Sequence, residues 1–515
     1  MAMSTKHTAP FAGKVYISGK IDKVHVGMKQ VQLSDTIVVD AEGAQTVKPN
    51  SPVTLYDTSG PYSDPRYIPY MAKGIPRIRE EWYGRRKDIV IREGKVSPGP
   101  KKKGAFPVTK PVFHARNERN ISQMSYAKKR VITPEMEYVA IRENQQVEAL
   151  GLKSYITPDF VRREVASGRA IIPANINHPE AEPMIIGQRF LVKINMNFIP
   201  SGEGYERDTM RMTEYCRLGA DMLTDLSDTV ESKQNRDWLL RNCPVPICTS
   251  PLHEALAQAG GEPADITWSI FRDTLIKQME QGVDVIAIHA AMHRKHLNLA
   301  ENRLTHLASR SGSILSRWMQ AHKQENFLYT YFDEICEILR TYDAVLSIGS
   351  GLRPGSIYDA NDRAQFAELS EMRDLTERAW KQYVQTMTEG PGHVPMNKIE
   401  ANVKEQLYVC KGAPFFTPGM KTTDIAGKYD YIASAIGSAQ VAWYGASLIG
   451  GSTRQEYRER PTGEEVQASI IAHKIAAHAA DLAKGHPGAQ VRDNALGKAR
   501  KEGRMEDIYA LSFGW

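Results

Sequence analysis

Val283-Asp284-Val285-Ile286-Ala287-Ile288-His289 is a short, nearly continuous apolar run that stops at a histidine. Apolarity without alternation suits a strand buried on both faces. Seven further runs, each followed by a longer amphipathic stretch, lie along the chain: Phe190–Asn195, Ala220–Leu226, Val245–Thr249, Ser313–Trp318, Ala344–Ile348, Val384–Met387 and Phe415–Thr417. Eight βα units over roughly 240 residues predict an α/β fold, a (β/α)8 TIM-type barrel, whose usual size is about 250 residues. The alternative is a doubly wound open sheet, but no G-x-G-x-x-G string follows the first strand.

Outward from the barrel, residues 1–130 alternate β-prone runs (Val15–Ser18, Val24–Val26, Thr36–Val39, Val53–Tyr56) with turn-rich pieces. They predict a smaller mixed α/β N-terminal domain. Within it, Pro98–Pro107 has no apolar periodicity and reads as a linker or surface loop. At Thr133-Pro134-Glu135 a capping residue precedes a proline, which starts a helix and opens the barrel unit, 131–460. A C-terminal helical segment, 461–515, follows. Its helix Val466–Lys484 ends at the stop signal Gly485-His486-Pro487-Gly488, and its histidines at 473, 478 and 486 read as structural.

The chain has 515 residues, 42% hydrophobic and 24% charged, a globular balance able to bury a sizeable core. The net charge of +6 comes from local basic clusters such as Arg77–Lys95 and Lys101–Lys103, which no nucleic-acid-binding motif accompanies, so no nucleic-acid partner is expected. No apolar stretch approaches the ~20 residues that span a bilayer, and no leader-like apolar region follows the first lysine, which predicts a cytoplasmic protein with no membrane partner. Cys216, Cys243, Cys248, Cys336 and Cys410 are scattered and form no C-x-x-C pair, which excludes a disulfide framework and a cysteine-rich metal site.

In a parallel barrel the active site forms where the strands exit, so polar residues just after the apolar runs are the candidates. They are Asn195 and Asn197, Thr224 and Asp225, Thr249 and Ser250, His289, Ser309-Arg310, Ser350 through Arg353, Glu389 with His393, and Thr422-Thr423-Asp424. Two of these are glycine-bearing loops with an arginine, Ser309–Ser313 and Gly349–Ser356. Backbone N–H groups that glycine leaves accessible, plus a planar guanidinium, make a clamp for phosphate or carboxylate; the alternative is a pair of ordinary surface turns. Glu389-Gly390-Pro391-Gly392-His393 fixes an irregular backbone that presents a carboxylate and an imidazole, as acid and base or as metal ligands.

At several long strings the chain resembles the phosphomethylpyrimidine synthase (ThiC) family. These are Tyr56–Tyr62, Ile132–Glu137, Arg169–Ile186, Glu325–Tyr329, Gly351–Ser356, Glu389–Met396 and Ile475–Arg492, in the family's order from about residue 10 to 510. The resemblance implies a homodimeric (β/α)8 enzyme that rearranges aminoimidazole ribonucleotide to a phosphorylated hydroxymethylpyrimidine. Its radical comes from S-adenosylmethionine cleaved at a [4Fe-4S] cluster. Carried over by position, Asn197, His289, Ser309, Arg310, Gly351, Leu352, Arg353 and Glu389 would bind the ribonucleotide, and His393 would be a metal ligand.

The chain also departs from the family pattern. The family's cluster cysteines lie in a C-terminal tail at x2 and x4 spacing, and this sequence ends at Trp515, where that tail would begin. The expectation is therefore no [4Fe-4S] cluster and no use of S-adenosylmethionine. Tyr457 stands where the family has His393's metal partner, which weakens the case for zinc or another divalent metal. In the pocket, Thr224 replaces a methionine, His253 a tyrosine, Ser350 an aspartate, Ser311 a glycine and Phe416 a tyrosine. Each polar mismatch against the old ligand costs about 1–3 kcal/mol, enough together to change ligand choice.

The leading expectation is a carbon–carbon lyase-type enzyme that holds a phosphorylated, aminoimidazole-ribonucleotide-like ligand and catalyses cleavage or rearrangement by polar chemistry. His289, Glu389 and His393 are its catalytic candidates. Thr224, His253, Ser311, Ser350 and Phe416 join the substrate-binding set. Two alternatives stay open: phosphomethylpyrimidine synthesis with the cluster tail supplied by a full-length partner in a mixed dimer, and a non-catalytic ligand-binding subunit.

Overall fold

The computed structural model describes residues 12–93, 111–145, 147, 156–201, 203–227, 232–453 and 461–513. The predicted linker Pro98–Pro107 and Tyr457 lie outside them.

The amino-terminal part carries strands β1 (Ala12–Ser18), β2 (His25–Val31), β3 (Thr36–Val39), β4 (Gln45–Lys48), β5 (Val53–Leu55), β6 (Ile89–Glu93) and β7 (Pro111–Ala115). The antiparallel sheet β1-β2-β5 and the ladders β3-β4 and β6-β7 make it a small mixed unit. Helix Pro134–Asn144 starts as its sequence dictates: the Thr133 side chain accepts from the N–H of Met136, and Pro134 occupies the first turn, where its missing N–H costs nothing.

A closed parallel barrel follows, with flanking helices. Ahead of it a short ladder pairs β8 (Ala170–Ile171) with β9 (Ile186–Gly187). The barrel runs β10 (Lys193–Phe198), β11 (Met222–Asp225), β12 (Ile247–Thr249), β13 (Val285–Ile288), β14 (Val345–Ile348), β15 (Thr386–Glu389), β16 (Phe415–Thr417) and β17 (Leu448–Gly451). It closes through β10 on β17, with Asn195 opposite Gly450. Met222, Cys248, Val285, Val345, Met387 and Leu448 form the inner layer, and Ile171, Met184 and Ile186 pack against it. Alternate residues such as Ile286 and Ile288 turn outward under the helices, so apolarity is continuous along the strand.

Two strand assignments need correction. Ser313–Trp318 lies within helix Arg310–His322, not in a strand. Ile314, Leu315, Trp318 and Met319 are all buried, at the one- and four-residue steps of a helical face, and Ser309 caps the first turn by accepting from the N–H of Gly312. The eighth strand is Leu448–Gly451, which has two apolar residues and two glycines and so shows little apolar run. Those glycines are needed: a Cβ on Gly450 would lie 2.8 Å from the Gly419 nitrogen, and one on Gly451 would collide with Met196.

After the barrel come helices Gly463–Ala483, Ala489–Lys501 and Met505–Leu511. Leu511 packs with Val31, Val53 and Leu55 of the first sheet, so the last helix closes on the first strands. His473, predicted structural, is fully buried between the Ser434 hydroxyl at 2.9 Å and the Ser469 carbonyl at 2.8 Å. Among the described residues no helix is long and apolar enough to cross a membrane.

Candidate active site

Parallel strands put all their carboxyl ends on one face, and that face gathers most of the predicted site residues. Asn195, Asn197, Arg353, His393 and Phe416 line a cavity of about 330 Å³ there, together with Lys421 and Ser452. Thr224 stands beside it on β11, its hydroxyl donating to Asn195 Oδ1 at 2.9 Å.

Behind the cavity is a network of mostly buried polar groups. His289 follows β13 directly, and its Nε2 lies 3.2 Å from the Ser309 hydroxyl. Burial, with Arg353 and His253 adding to it, holds this imidazole well below its ordinary value, so it is neutral at pH 7. Gly349 is the floor beneath the ring: a Cβ there would lie 2.8 to 2.9 Å from three ring atoms. His253, in the first turn of helix Pro251–Gln258, places Nε2 3.2 Å from the Ser311 hydroxyl. Both histidines thus meet hydroxyls from the start of helix Arg310–His322. Ser309–Ser313 is accordingly a helix start and not a free glycine loop, and Arg310 is exposed on it, outside the cavity lining.

The second predicted loop is turned inward. The N–H groups of Gly351 and Leu352 donate to Glu368 at 2.7 and 2.8 Å, which commits them to helix Arg363–Lys381. Burial pushes the Glu368 carboxyl up to about 8 despite those two donors, with Glu389 raising it further and Arg353 lowering it. Ser350 donates through its hydroxyl to the Gly390 carbonyl at 3.1 Å and through its N–H to Glu389 at 3.2 Å. Arg353 donates to the Ser350 carbonyl at 3.0 Å and faces Glu389 at 3.6 Å. Burial raises the Glu389 carboxyl above its ordinary range; Arg353 and the Ser350 N–H pull it back.

His393 is fixed by its backbone, which bridges Lys421 in parallel, and by Nδ1, 2.8 Å from Asp424. A carboxylate on Nδ1 selects the tautomer that leaves Nε2 as the acceptor.

Three groups here escaped sequence reading. Lys421, buried against Asp430 at 3.2 Å, is flagged only by its position just ahead of Thr422. Ser452 follows β17, the strand that left little apolar signal. Glu368 sits inside a helix, where no local pattern marks it.

The chain matches the radical SAM ThiC family over residues 122–514 and the ThiC-associated domain over residues 8–90. It belongs to the radical SAM ThiC family. Among solved structures it is similar to a dihydropteroate synthase from Stenotrophomonas maltophilia with active site-bound imidazole, at 14% identity and TM-score 0.33, over 56% of this chain and 94% of that one. It is also similar to one from Coxiella burnetii in complex with pteroic acid, at 14% identity and TM-score 0.30, over 57% and 94%.

A ThiC-type cluster requires three converging thiolates. The five cysteines of this sequence are all buried; Cys216 and Cys243 neighbour each other, no three of them converge, and burial drives Cys248 and Cys410 up to about 12, far from thiolate at pH 7. They do not fit that cluster. Among the described residues no group of three or more His, Cys, Asp or Glu side chains is arranged to hold a metal ion, and the His393–Asp424 pair supplies two groups where a catalytic zinc takes three.

Proposed function

We propose that this ThiC-family protein binds a phosphorylated, aminoimidazole-ribonucleotide-like ligand at the carboxyl end of its barrel and catalyses a lyase or rearrangement step with its own acid–base groups. Family membership supports a ThiC-like role, of the thiamine-pyrimidine biosynthesis type. The observation that carries the finer reading is that Arg353 acts on both a neutral, buried His289 and a buried Glu389 whose proton affinity is raised. A neutral imidazole can accept a proton, and a carboxyl of raised proton affinity can return one. Arg353 would hold a phosphate or ribose oxygen, with Asn197, Ser350 and Phe416 shaping ligand choice. His393, held by Asp424, lines the cavity itself and offers a further acceptor there.

Calorimetric titration with aminoimidazole ribonucleotide, followed by product analysis by mass spectrometry, tests this reading. Binding that Arg353→Gln abolishes, with turnover that His289→Gln and Glu389→Gln each lower by ~100-fold or more, supports it; no binding of this or related phosphoribosyl compounds rejects it.

A second reading keeps the family's radical reaction and supplies the cluster from a full-length partner chain. Its support is an apolar stripe next to the site: Ile432 and Ile436 on helix Asp430–Tyr444 are exposed, as are Ile425, beside Asp424, and Trp443. Such a face suits a second copy or a longer paralogue. Mixing with a complete ThiC chain and assaying pyrimidine formation separates the two readings.

A further inference from the structure

A second cavity, of about 270 Å³, lies at the opposite end of the barrel. Strand direction identifies that end: Lys193, the first residue of β10, lines it, as do Gly219 and Asp221 just ahead of β11. The remaining walls bring Lys29 and Asp57 from the first sheet and its exit, Lys474 from helix Gly463–Ala483, and Arg492 from helix Ala489–Lys501. The chemistry proposed above uses none of these groups.

The charge in this cavity is unbalanced. Its three carboxylates are already engaged: Asp57 by Lys14 at 2.8 Å, Asp481 by the Val192 N–H at 3.0 Å and Lys484 at 3.2 Å, and Asp221 by the Ile194 N–H at 2.9 Å with Lys474 at 4.0 Å. Lys193 pairs with Glu143 at 2.8 Å. Lys29, Arg217 and Arg492, in contrast, form no ion pair with a carboxylate among the described residues.

Two of these cations are held by neutral groups. Arg492 donates from Nε to the Leu511 carbonyl at 2.6 Å and lies 3.9 Å over the Phe513 ring; Arg217 donates to the Tyr62 carbonyl at 2.8 Å. Such contacts orient a guanidinium without cancelling its charge. Burial lowers the proton affinity of Lys29, opposed by Asp57 and reinforced by Arg492, and burial brings Arg492 down to about 10. Asp57 near Lys29 and Asp493 beside Arg492 attract these two cations without forming an ion pair, Arg217 is exposed at the rim, and partly desolvated cations that no carboxylate pairs favour an anion from outside.

We propose that this basal cavity binds a small oxyanion of the phosphate class, as free phosphate or a phosphate monoester, with Lys29, Arg217 and Arg492 supplying the charge and Lys474 completing the cradle. Three cations suit a dianion, and guanidinium groups offer the two-point geometry that phosphate accepts. The volume falls below the roughly 300 Å³ at which sites for drug-sized ligands begin, so the occupant is small. It would tie the first sheet, the barrel floor and the C-terminal helices together, and a ligand bound only by the folded chain stabilises it.

The experiment titrates the full chain with inorganic phosphate and with ribose 5-phosphate at constant ionic strength, by calorimetry and thermal shift. Wild type, Arg353→Gln, Lys29→Met, Lys474→Gln and Arg492→Gln are compared. Arg353→Gln alters only the carboxyl-end cavity, so it should keep a phosphate-binding event that Lys29→Met and Arg492→Gln weaken by about tenfold or more. Lys474→Gln, at a half-buried position, serves as the check should Arg492→Gln fail to fold. Tighter binding of ribose 5-phosphate assigns a monoester, and equal affinity the free ion. The proposal is overturned if phosphate produces no heat or shift, if its binding is lost only in Arg353→Gln, or if Lys29→Met and Lys474→Gln bind as wild type does.

Discussion

The Ser309 hydroxyl lies 3.2 Å from His289 Nε2 while accepting the Gly312 N–H at 3.1 Å, so one side chain both caps a helix and orients the buried imidazole. Because the N–H claims a lone pair, the hydroxyl proton is available to the neutral ring. Ser309→Ala should therefore cost about 1 kcal/mol of stability through the lost cap. It should also weaken ligand binding, because His289 loses its partner. Chemical denaturation reads the first effect and calorimetry with aminoimidazole ribonucleotide the second. A stability loss with unchanged binding would reduce Ser309 to a cap.

Gly349 gives a sharper test of the same imidazole. A methyl group there would sit 2.8 Å from Cε1 and 2.9 Å from both ring nitrogens of His289, closer than real Cβ contacts allow. Since Gly349 has no positive φ, the backbone itself tolerates alanine. Gly349→Ala should leave the thermal transition cooperative but push the ring away from Ser309, lowering turnover at least tenfold. Wild-type turnover in Gly349→Ala would mean that His289 needs no fixed position.

The barrel was legible because seven of its strands are short apolar runs between amphipathic stretches; β17 was not, since two of its four residues are glycines chosen for close packing. Ser313–Trp318 misled because a six-residue apolar window reads the same in a strand as on a helical face, and the Ser309 cap that decides it lies outside the window. Strand ends pointed to His289, Arg353, Glu389 and His393 because direction alone places them. What no strand end could reveal was Glu368, which reaches the Gly351–Leu352 turn from a helix, or Asp424, whose part as the partner of His393 depends on a bridge between two loops.

The exposed stripe on helix Asp430–Tyr444 predicts an association. Ile432 and Ile436 lie one helical turn apart, and Trp443 continues the stripe seven residues on. If a second copy covers this face, Ile436→Glu should convert the dimer to monomer without lowering the helical content, as read by light scattering and circular dichroism. A monomeric wild type at micromolar concentration would remove the basis for both the homodimer and the mixed dimer.

Glu368 makes stability near the site depend on pH. Burial raises its carboxyl to about 8, well above the ordinary carboxylate range of an unfolded chain. A raised acid stabilises the fold fully below about pH 4.5, and that contribution is lost as pH climbs through about 8, because the unfolded chain ionises first. Glu368→Gln cannot ionise. Its one acceptor oxygen must serve the N–H groups of both Gly351 and Leu352, so near pH 5 the variant should be less stable than wild type by about 1–3 kcal/mol. Between pH 5 and 8 the wild type alone loses its contribution, at about 1.4 kcal/mol per pH unit, so the gap should close and then reverse. Guanidinium denaturation of both proteins at pH 5, 7 and 8.5 measures this. A gap that stays constant with pH would mean that Glu368 is ionised throughout, held by its two donors and Arg353 against the cost of burial.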